Sequence, residues 1–496
     1  MRAPGVCPPR RTNPREPGIP LMPLILDESK TRGPVFGTGD RRDRRVLMIA
    51  AAFPPTGGPG VQRTVKFAKY LPEFGWRPTV WALKDMDGLP QDASLLADLP
   101  DSVTVRRWDW SSGVSAIRRA LSYHSKSEGD AGLDYAHGLG ARLARALDWR
   151  LRDWNARTLL PDDWARWART SVAPLCKLIR RENIDVIFST FSPASNHLLG
   201  LALKRRTGVP WVADFRDLWT DDFRYCETSP RRRRAHHNLE REILESADAV
   251  IGVTPRQTEI LSNYAPGCRA KFKTITNGFD PPDFPDAFTQ KPDRTGGPQA
   301  KRFVMAHVGR LDRWRTNAAW FDGLNKFASA LGKGRGHCEL RIVGYANTRA
   351  RDALLACGVR CAFTGYTSHA DAIREMLHAD VLLLIAPDGR NADSVIPAKL
   401  FEYLAAGRPI LVVGPQGSEP ANVVHQCTAG LTVTFDVDAI AGALTRLYRA
   451  WHADAPLPGC GRALTQRFER RRLTETLASV FNGLLVDEPS CRPNLH

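Results

Sequence analysis

From residue 45 onward, short apolar runs alternate with amphipathic stretches of helical length. This alternation predicts parallel β-sheets covered by helices, because each apolar run can form a buried strand and each amphipathic stretch can form the crossover to the next strand. The first set of runs lies at 46–52, 79–82, 186–189, 211–215, 249–253 and 272–275. These runs predict a six-stranded, doubly wound domain.

Pro, Gly and Asp then crowd together without periodicity at 281–300, which indicates a linker. A second set of runs follows at 303–308, 339–343, 359–363, 381–385, 409–413 and 431–433. A chain of 496 residues is also too long for one ordinary core, so two domains are expected. The predicted organisation is a disordered N-terminal tail at 1–44, an N-terminal Rossmann-like domain at 45–285, a C-terminal one at 300–460, and a helix at 461–486 that returns to the N-terminal domain.

Composition excludes several classes of protein. The formal net charge of +17 suggests an anionic partner, but the basic residues are not concentrated into a stripe interleaved with aromatics, as nucleic-acid binding requires. The four consecutive arginines at 231–234 indicate a solvated helix start, or else a contact with lipid headgroups or with an anionic acceptor. No run of 18 apolar residues predicts a membrane-spanning helix, and ten scattered cysteines favour free thiols in the cytoplasm.

Six tryptophans lie among many arginines between residues 105 and 175. They are Trp108, Trp110, Trp149, Trp154, Trp164 and Trp167. Two interpretations stay open at this stage: packing residues of the first domain, or a surface that docks on the inner face of a membrane.

A glycine-rich turn follows the first strand and precedes a helix. Gly57, Gly58 and Gly60 would let the backbone approach a ligand closely, and the helix start would attract a phosphate. The turn has neither the Lys-Ser/Thr of a P-loop nor the spacing of the dinucleotide fingerprint, so neither of those nucleotide folds is indicated.

Polar residues also follow two later strands of the first domain. Asp214, Arg216 and Asp217 predict a cleft that binds polar hydroxyls on the acceptor side, although an internal ion-pair network would look the same. Asn277 and Gly278, after the last strand, favour a simple turn.

Two arginines follow the first strand of the second domain. Gly309 forms the turn, and Arg310 with Arg315 or Arg313 can stabilise the charge that develops on a departing diphosphate without a metal ion.

The segment 394–411 carries the most specific pattern. Pro397 opens a helix, Gly407 ends it and Pro409 leads into a strand, so Glu402 is expected on a short rigid helix inside the cleft, where its carboxylate can accept both hydroxyls of a ribose.

In order and spacing, these segments resemble the family 4 retaining glycosyltransferases of the GT-B fold, particularly the bacterial polysaccharide type. The resemblance covers about residues 45–485. It implies a hexosyltransferase that needs no cofactor or metal and uses a UDP-sugar or GDP-sugar. It places the Gly57–Gly60 turn at the donor sugar phosphate, Arg310 and Arg315 at the diphosphate, and Glu402 at the ribose. Gly309, Ser394, Val395, Ile396 and Lys399 complete the predicted donor site.

One position departs from the family pattern. A glutamate often stands eight residues before the ribose-binding one, whereas this chain has Ser394 there, so adjacent Asp393 or the backbone of 394–396 would hold the sugar. The resemblance further implies transfer to a polysaccharide or polyprenyl-linked acceptor at the cytoplasmic membrane. The alternatives are a GT-B-shaped nucleotide-sugar epimerase, a phosphorylase, or a binding protein without catalytic activity.

Overall fold

The computed structural model describes residues 43–84, 91–108, 160–227, 229–284, 302–455 and 462–486. The tail expected to be disordered, most of the expected linker, and Trp110, Trp149 and Trp154 lie outside these residues.

The first lobe is built on a seven-stranded parallel sheet. Its strands are β1 (Arg44–Ile49), β2 (Trp76–Leu83), β3 (Thr104–Trp108), β4 (Val186–Phe191), β5 (Trp211–Phe215), β6 (Ala249–Gly252) and β7 (Phe272–Thr274). Their order is β3-β2-β1-β4-β5-β6-β7, so the direction of winding reverses between β1 and β4.

The prediction of six strands was wrong by one, because β3 was not recognised. This edge strand carries two arginines, and none of its side chains is fully buried. Because two of its five residues are arginines, it has no continuous apolar run to mark it.

The second lobe has a six-stranded parallel sheet. Its strands are β8 (Phe303–Val308), β9 (Cys338–Val343), β10 (Arg360–Gly365), β11 (Val381–Ile385), β12 (Ile410–Val413) and β13 (Gly430–Val433). The order β10-β9-β8-β11-β12-β13 places the reversal between β8 and β11. Each strand was predicted, because these strands are largely apolar runs bounded by turn residues.

Helices cover both sheets. Those of the first lobe are α1 (Pro59–Tyr70), α2 (Ala165–Glu182), α3 (Ser195–Thr207), α4 (Pro230–Ser246) and α5 (Pro255–Ser262). Those that follow are α6 (Ala318–Leu331), α7 (Thr348–Ala356), α8 (His369–His378), α9 (Lys399–Ala406), α10 (Glu419–Gln426), α11 (Val437–His452), α12 (Arg462–Thr465) and α13 (Arg470–Val486).

The last helix, α13, packs against the first lobe although the second lobe precedes it in the chain. Leu473, Leu477 and Phe481 belong to the same buried cluster as Val46 of β1. The Phe481 ring also lies edge-on to Trp76, with 5.1 Å between the ring centroids. The predicted α/β fold of two Rossmann-like lobes with a returning C-terminal helix is therefore confirmed.

Three tryptophans of the group between residues 105 and 175 lie in the described residues, and all three are packing residues. Trp167 is fully buried in the core beneath α2 and α3, and Trp108 and Trp164 pack against that core. For these three side chains the structure favours the packing interpretation over a membrane-facing surface.

Candidate functional site

A cavity of about 540 Å³ lies between the two lobes. Its walls come from the segments after β1, β5, β6, β7 and β8, from the end of β11 and from residues 395–399. Ligands of open parallel sheets bind beyond the carboxyl ends of the strands near the reversal point, and here two such edges face one cavity. The predicted site residues that line it are Gly60, Arg216, Asp217, Gly309, Arg310, Arg315, Val395, Ile396 and Lys399.

On the first-lobe wall, Gly60 and Arg216 are in direct contact. A Cβ atom at position 60 would lie only 0.9 Å from Nη1 of Arg216, so the guanidinium occupies the space that any other residue would fill. Gly58 has φ +117° and is the N-cap residue of α1. Neither Gly58 nor Gly57 lines the cavity. Gly60 is thus the glycine of this turn that shapes the cavity wall.

Asp214 does not face the cavity, which corrects its prediction as an acceptor-side residue. Its side chain is fully buried and accepts hydrogen bonds from Arg63 Nη2 at 2.7 Å and from Thr190 Oγ1 at 2.9 Å. Arg63 also donates to the carbonyls of Ile275 and Thr276. The internal ion-pair network that the sequence left open is therefore the role of Asp214 in the structure.

On the second-lobe wall, Arg310 and Arg315 both line the cavity after β8. Gly309 has φ +144°, a conformation that favours glycine. Arg315 Nη1 donates to Asp312 Oδ2 at 3.1 Å, whereas Arg310 is exposed and lies over the Tyr345 ring at 5.3 Å. Arg313 instead lies over the Trp314 ring and does not line the cavity. Burial lowers the pKa of Arg315, and Arg224 and Arg310 lower it further, against the effect of Asp312.

His307 adds a neutral imidazole to this wall. Its Nδ1 lies 3.0 Å from the carbonyl oxygen of Leu383, and its Nε2 is buried without a hydrogen-bond partner. Burial lowers the pKa of His307 to about 4. At neutral pH the ring therefore adds no positive charge to the neighbouring arginines.

Helix α9 holds Glu402 as the sequence predicted, but at a distance from the main cavity. Gly407, with φ +67°, ends the helix, and Lys399 at its start lines the cavity. Glu402 is 5% exposed, accepts a hydrogen bond from Lys399 Nζ at 2.6 Å, and lines a small separate pocket with Arg470. The carboxylate of Glu402 therefore does not line the main cavity itself, but it bonds Lys399, which does.

Ser394 and Asp393 have structural partners instead of facing the cavity. Ser394 is fully buried, and its hydroxyl donates to the carbonyl of Asn391 at 2.7 Å. Asp393 pairs with Arg256 of the first lobe at 2.8 Å. The segment that reaches the cavity is 395–399.

The sequence did not single out Arg224, Phe223 or Trp314, which also line the cavity. Arg224 donates to Asp222 and pairs with Asp217 at 3.1 Å, and the hydrogen bonds to Asp222 raise its pKa. The rings of Phe223 and Trp314 meet edge-on across the lobes, with centroids 5.3 Å apart. Phe223 and Arg224 lie outside any helix or strand, and no periodicity or spacing marks them.

Within the described ranges, no group of three or more His, Cys, Asp and Glu side chains is arranged to hold a metal ion. The helices in that part of the chain include none that is long and apolar enough to cross a bilayer.

Two doubly wound lobes that face a cationic cavity, with the last helix returning to the first lobe, define the GT-B class of α/β proteins. Family models agree with this division. A glycosyl transferase 4-like domain matches residues 57–278, and a glycosyl transferases group 1 domain matches residues 302–450. The two matches together span most of the chain, which belongs to the GT-B glycosyltransferases and is an enzyme of that class.

Solved structures support the fold. The chain is similar to HepE of Anabaena, solved in complex with UDP and glucose, with a TM-score of 0.57, 14% identity, and coverage of 89% of this chain and 100% of that one. It is also similar to sucrose-phosphate synthase of Thermosynechococcus elongatus, with a TM-score of 0.57, 15% identity, and coverage of 89% and 99%. A comparison with curated protein sequences gave no match.

Proposed function

We propose that this enzyme transfers a hexose from a UDP-sugar or GDP-sugar to a polysaccharide or lipid-linked acceptor, with retention of the anomeric configuration and without a metal ion. The observation that carries the proposal is the cavity between the lobes, where the second-lobe cations Arg310, Arg315 and Lys399 converge. Similarity to HepE, whose structures contain UDP or UDP-glucose, supports a nucleotide-sugar donor.

Arg310 is the residue we assign to the departing diphosphate. It directly follows the Gly309 turn and lines the cavity. None of the described carboxylates is within 4 Å of its guanidinium. The C–O bond from the sugar to the phosphate breaks, a C–O bond to the acceptor hydroxyl forms, and the proton of that hydroxyl passes to the leaving phosphate. Preorganised guanidinium groups stabilise the added charge on that phosphate.

Arg315, Lys399 and the backbone of 395–396 complete the proposed donor site. Glu402 contributes to this donor site by positioning Lys399, because its buried carboxylate accepts a hydrogen bond from the Lys399 ammonium. The acceptor is proposed to approach from the first lobe, past Arg216 and Asp217. If the acceptor is polyprenyl-linked, the enzyme would work in contact with the inner face of the cytoplasmic membrane.

The test of the donor site is Arg310→Ala. Removing one such donor from a preorganised site costs about 100-fold in kcat, or on the order of 3 kcal/mol. The variant should therefore lose most sugar transfer while its thermal midpoint stays at the wild-type value. Arg351→Ala is the matched control, because Arg351 also lies over an aromatic ring of the second lobe, that of Phe363, but outside the cavity.

The donor itself is identified by a thermal-shift screen of UDP- and GDP-sugars, since a ligand that binds only the folded state raises the midpoint. Full activity of Arg310→Ala would remove the diphosphate assignment. Product analysis separates the alternatives: an epimerase releases an altered sugar nucleotide with no acceptor added, and a binding protein without catalysis consumes no donor.

A further inference from the structure

The cations that line the main cavity differ in their partners. Three of them have carboxylates nearby: Arg224 has Asp217 and Asp222, Arg315 has Asp312, and Lys399 has Glu402. The two others, Arg216 and Arg310, have no carboxylate within 4 Å in the described part of the chain. One of them belongs to each lobe.

Arg216 is held in place by groups that do not neutralise it. Its Nε donates to the carbonyl of Phe191, and its Nη2 lies 3.4 Å from the carbonyl oxygen of Ser192. The two neighbouring carboxylates are used elsewhere, since Asp214 pairs with Arg63 and Asp217 pairs with Arg224. Burial lowers the pKa of Arg216, which shows that its charge is partly desolvated. Neither carboxylate lies within 4 Å of this guanidinium, and a partly desolvated guanidinium without a carboxylate in contact is costly for the folded state.

The surroundings of Arg216 add positive potential to this corner of the cavity. Its guanidinium lies against Gly60 in the first turn of α1, a helix of 12 residues with no acidic residue in that turn and no side-chain cap. The partial positive charge of the helix start therefore adds to that of the guanidinium. Asp217 and Asp214 raise the pKa of Arg216 in turn, whereas the cations Arg63 and Arg224 lower it.

We propose that Arg216 binds an anionic group, a phosphate or a carboxylate, on the acceptor, so that the polysaccharide or lipid-linked acceptor presents an acidic sugar or a sugar phosphate to this site. The inference rests on the proposed function, which assigns Arg310 to the donor diphosphate. Two guanidinium groups on opposite lobes, neither in contact with a described carboxylate, fit two anionic ligands that meet in one cavity.

The experiment uses the full-length enzyme saturated with UDP or GDP, whichever the thermal-shift screen selects. Glucose 6-phosphate, glucuronate and glucose are then titrated by calorimetry. We expect an anionic probe to bind this nucleotide complex and uncharged glucose to bind at least about tenfold more weakly, as expected for hydrogen bonds to a charged group. Binding of the phosphate or of the carboxylate probe identifies which anion the site prefers.

Arg216→Gln should weaken the anionic probe about tenfold or more and leave nucleotide affinity within about twofold. Arg216→Lys keeps the charge and should retain part of the binding. Arg206→Gln is the matched control, because Arg206 is an exposed first-lobe arginine outside the cavity whose guanidinium also bonds a backbone carbonyl, that of Ala202.

Two results would overturn the inference. One is a nucleotide complex that binds none of the probes, and the other is an Arg216→Gln variant that loses nucleotide and probe affinity in equal measure, which would place Arg216 in the donor site. A wild-type enzyme that binds no nucleotide would contradict the proposed function instead. Titration of the ligand-free protein with the anionic probes would then test Arg216 on its own.

Discussion

At the scale of single residues, the structure separates side chains that look alike in the sequence. Asp214, Arg216 and Asp217 stand within four positions, yet Asp214 is fully buried with Arg63 while the other two line the cavity. The difference arises because Asp214 lies within β5, whose five residues are all buried, whereas Arg216 and Asp217 follow the carboxyl end of the strand, where the cavity lies. The pairing of Arg63 with Asp214 was not predicted, since nothing near Arg63 in sequence marks it as the partner of that carboxylate.

His307 makes stability depend on pH. Its pKa is about 4 in the folded protein, because burial disfavours the charged ring, and about 6.5 in an unfolded chain. Between these values the unfolded state binds more protons, so the free energy of unfolding falls as the pH falls from about 6.5 to 4. The loss due to this group approaches about 3 kcal/mol.

The prediction for His307 is tested with His307→Gln, by urea unfolding at pH 8, 6 and 4.5. At pH 8 the ring is neutral in both states, so the difference between variant and wild type there measures the change in packing and in the hydrogen bond to Leu383, without a contribution from charge. The variant should gain stability relative to the wild type as the pH falls. A difference that stays constant from pH 8 to pH 4.5 would contradict the assignment.

At the scale of elements, most strands and helices could be predicted because each carries its own local pattern. Helix α9 is the clearest case: Pro397 precedes it, Gly407 ends it in the left-handed conformation, and the apolar residues between face the core. Strand β3 is the counterexample, since an edge strand with half-exposed arginines has no such pattern. What an element packs against follows from the whole fold, as α13 shows.

Substitution of Phe481 tests the packing of α13 against the first lobe. Its ring is fully buried against Trp76 and Phe188. Truncation of a buried Phe to Ala costs about 3–5 kcal/mol, because it removes apolar contacts and leaves a cavity. We expect Phe481→Ala to lower the free energy of unfolding by that amount in urea titration. Leu485→Ala, on an exposed face of the same helix, should change it by less than about 0.5 kcal/mol.

At the scale of the whole molecule, contacts between the lobes close the cavity on one side. Asn391 Nδ2 donates to the carbonyl of Asp221 at 3.0 Å, and Thr254 Oγ1 donates to that of Ser394 at 3.0 Å. Phe223 reaches across to Trp314 on the opposite wall. Gly389 allows this approach, because a Cβ atom there would lie 3.2 Å from Cβ of Phe223.

The contact between Phe223 and Trp314 predicts a binding effect. An edge-to-face aromatic pair contributes about 0.5–1.5 kcal/mol beyond its buried area, and here that energy holds the two walls together. Phe223→Ala is expected to raise the KM for the donor severalfold, while kcat at saturation changes less. Steady-state kinetics measures both, with Phe363→Ala of the second lobe as a control. Equal losses in kcat and kcat/KM would indicate a role in the transition state instead.

The amino-acid sequence by itself determined the class of fold, the two sheets and the segments that end at the cavity, because strand burial, helix capping and glycine turns act over a few residues. Only the tertiary structure decided which polar side chains face that cavity. Asp214 and Ser394 are buried away from the cavity, and Glu402 bonds Lys399 instead of lining it. Arg224 lines the cavity although it lies in a loop that no sequence periodicity marks. The physical reason is that a charged side chain takes the partner that folding brings close, and that partner can be far away in the chain, as Arg63 is from Asp214.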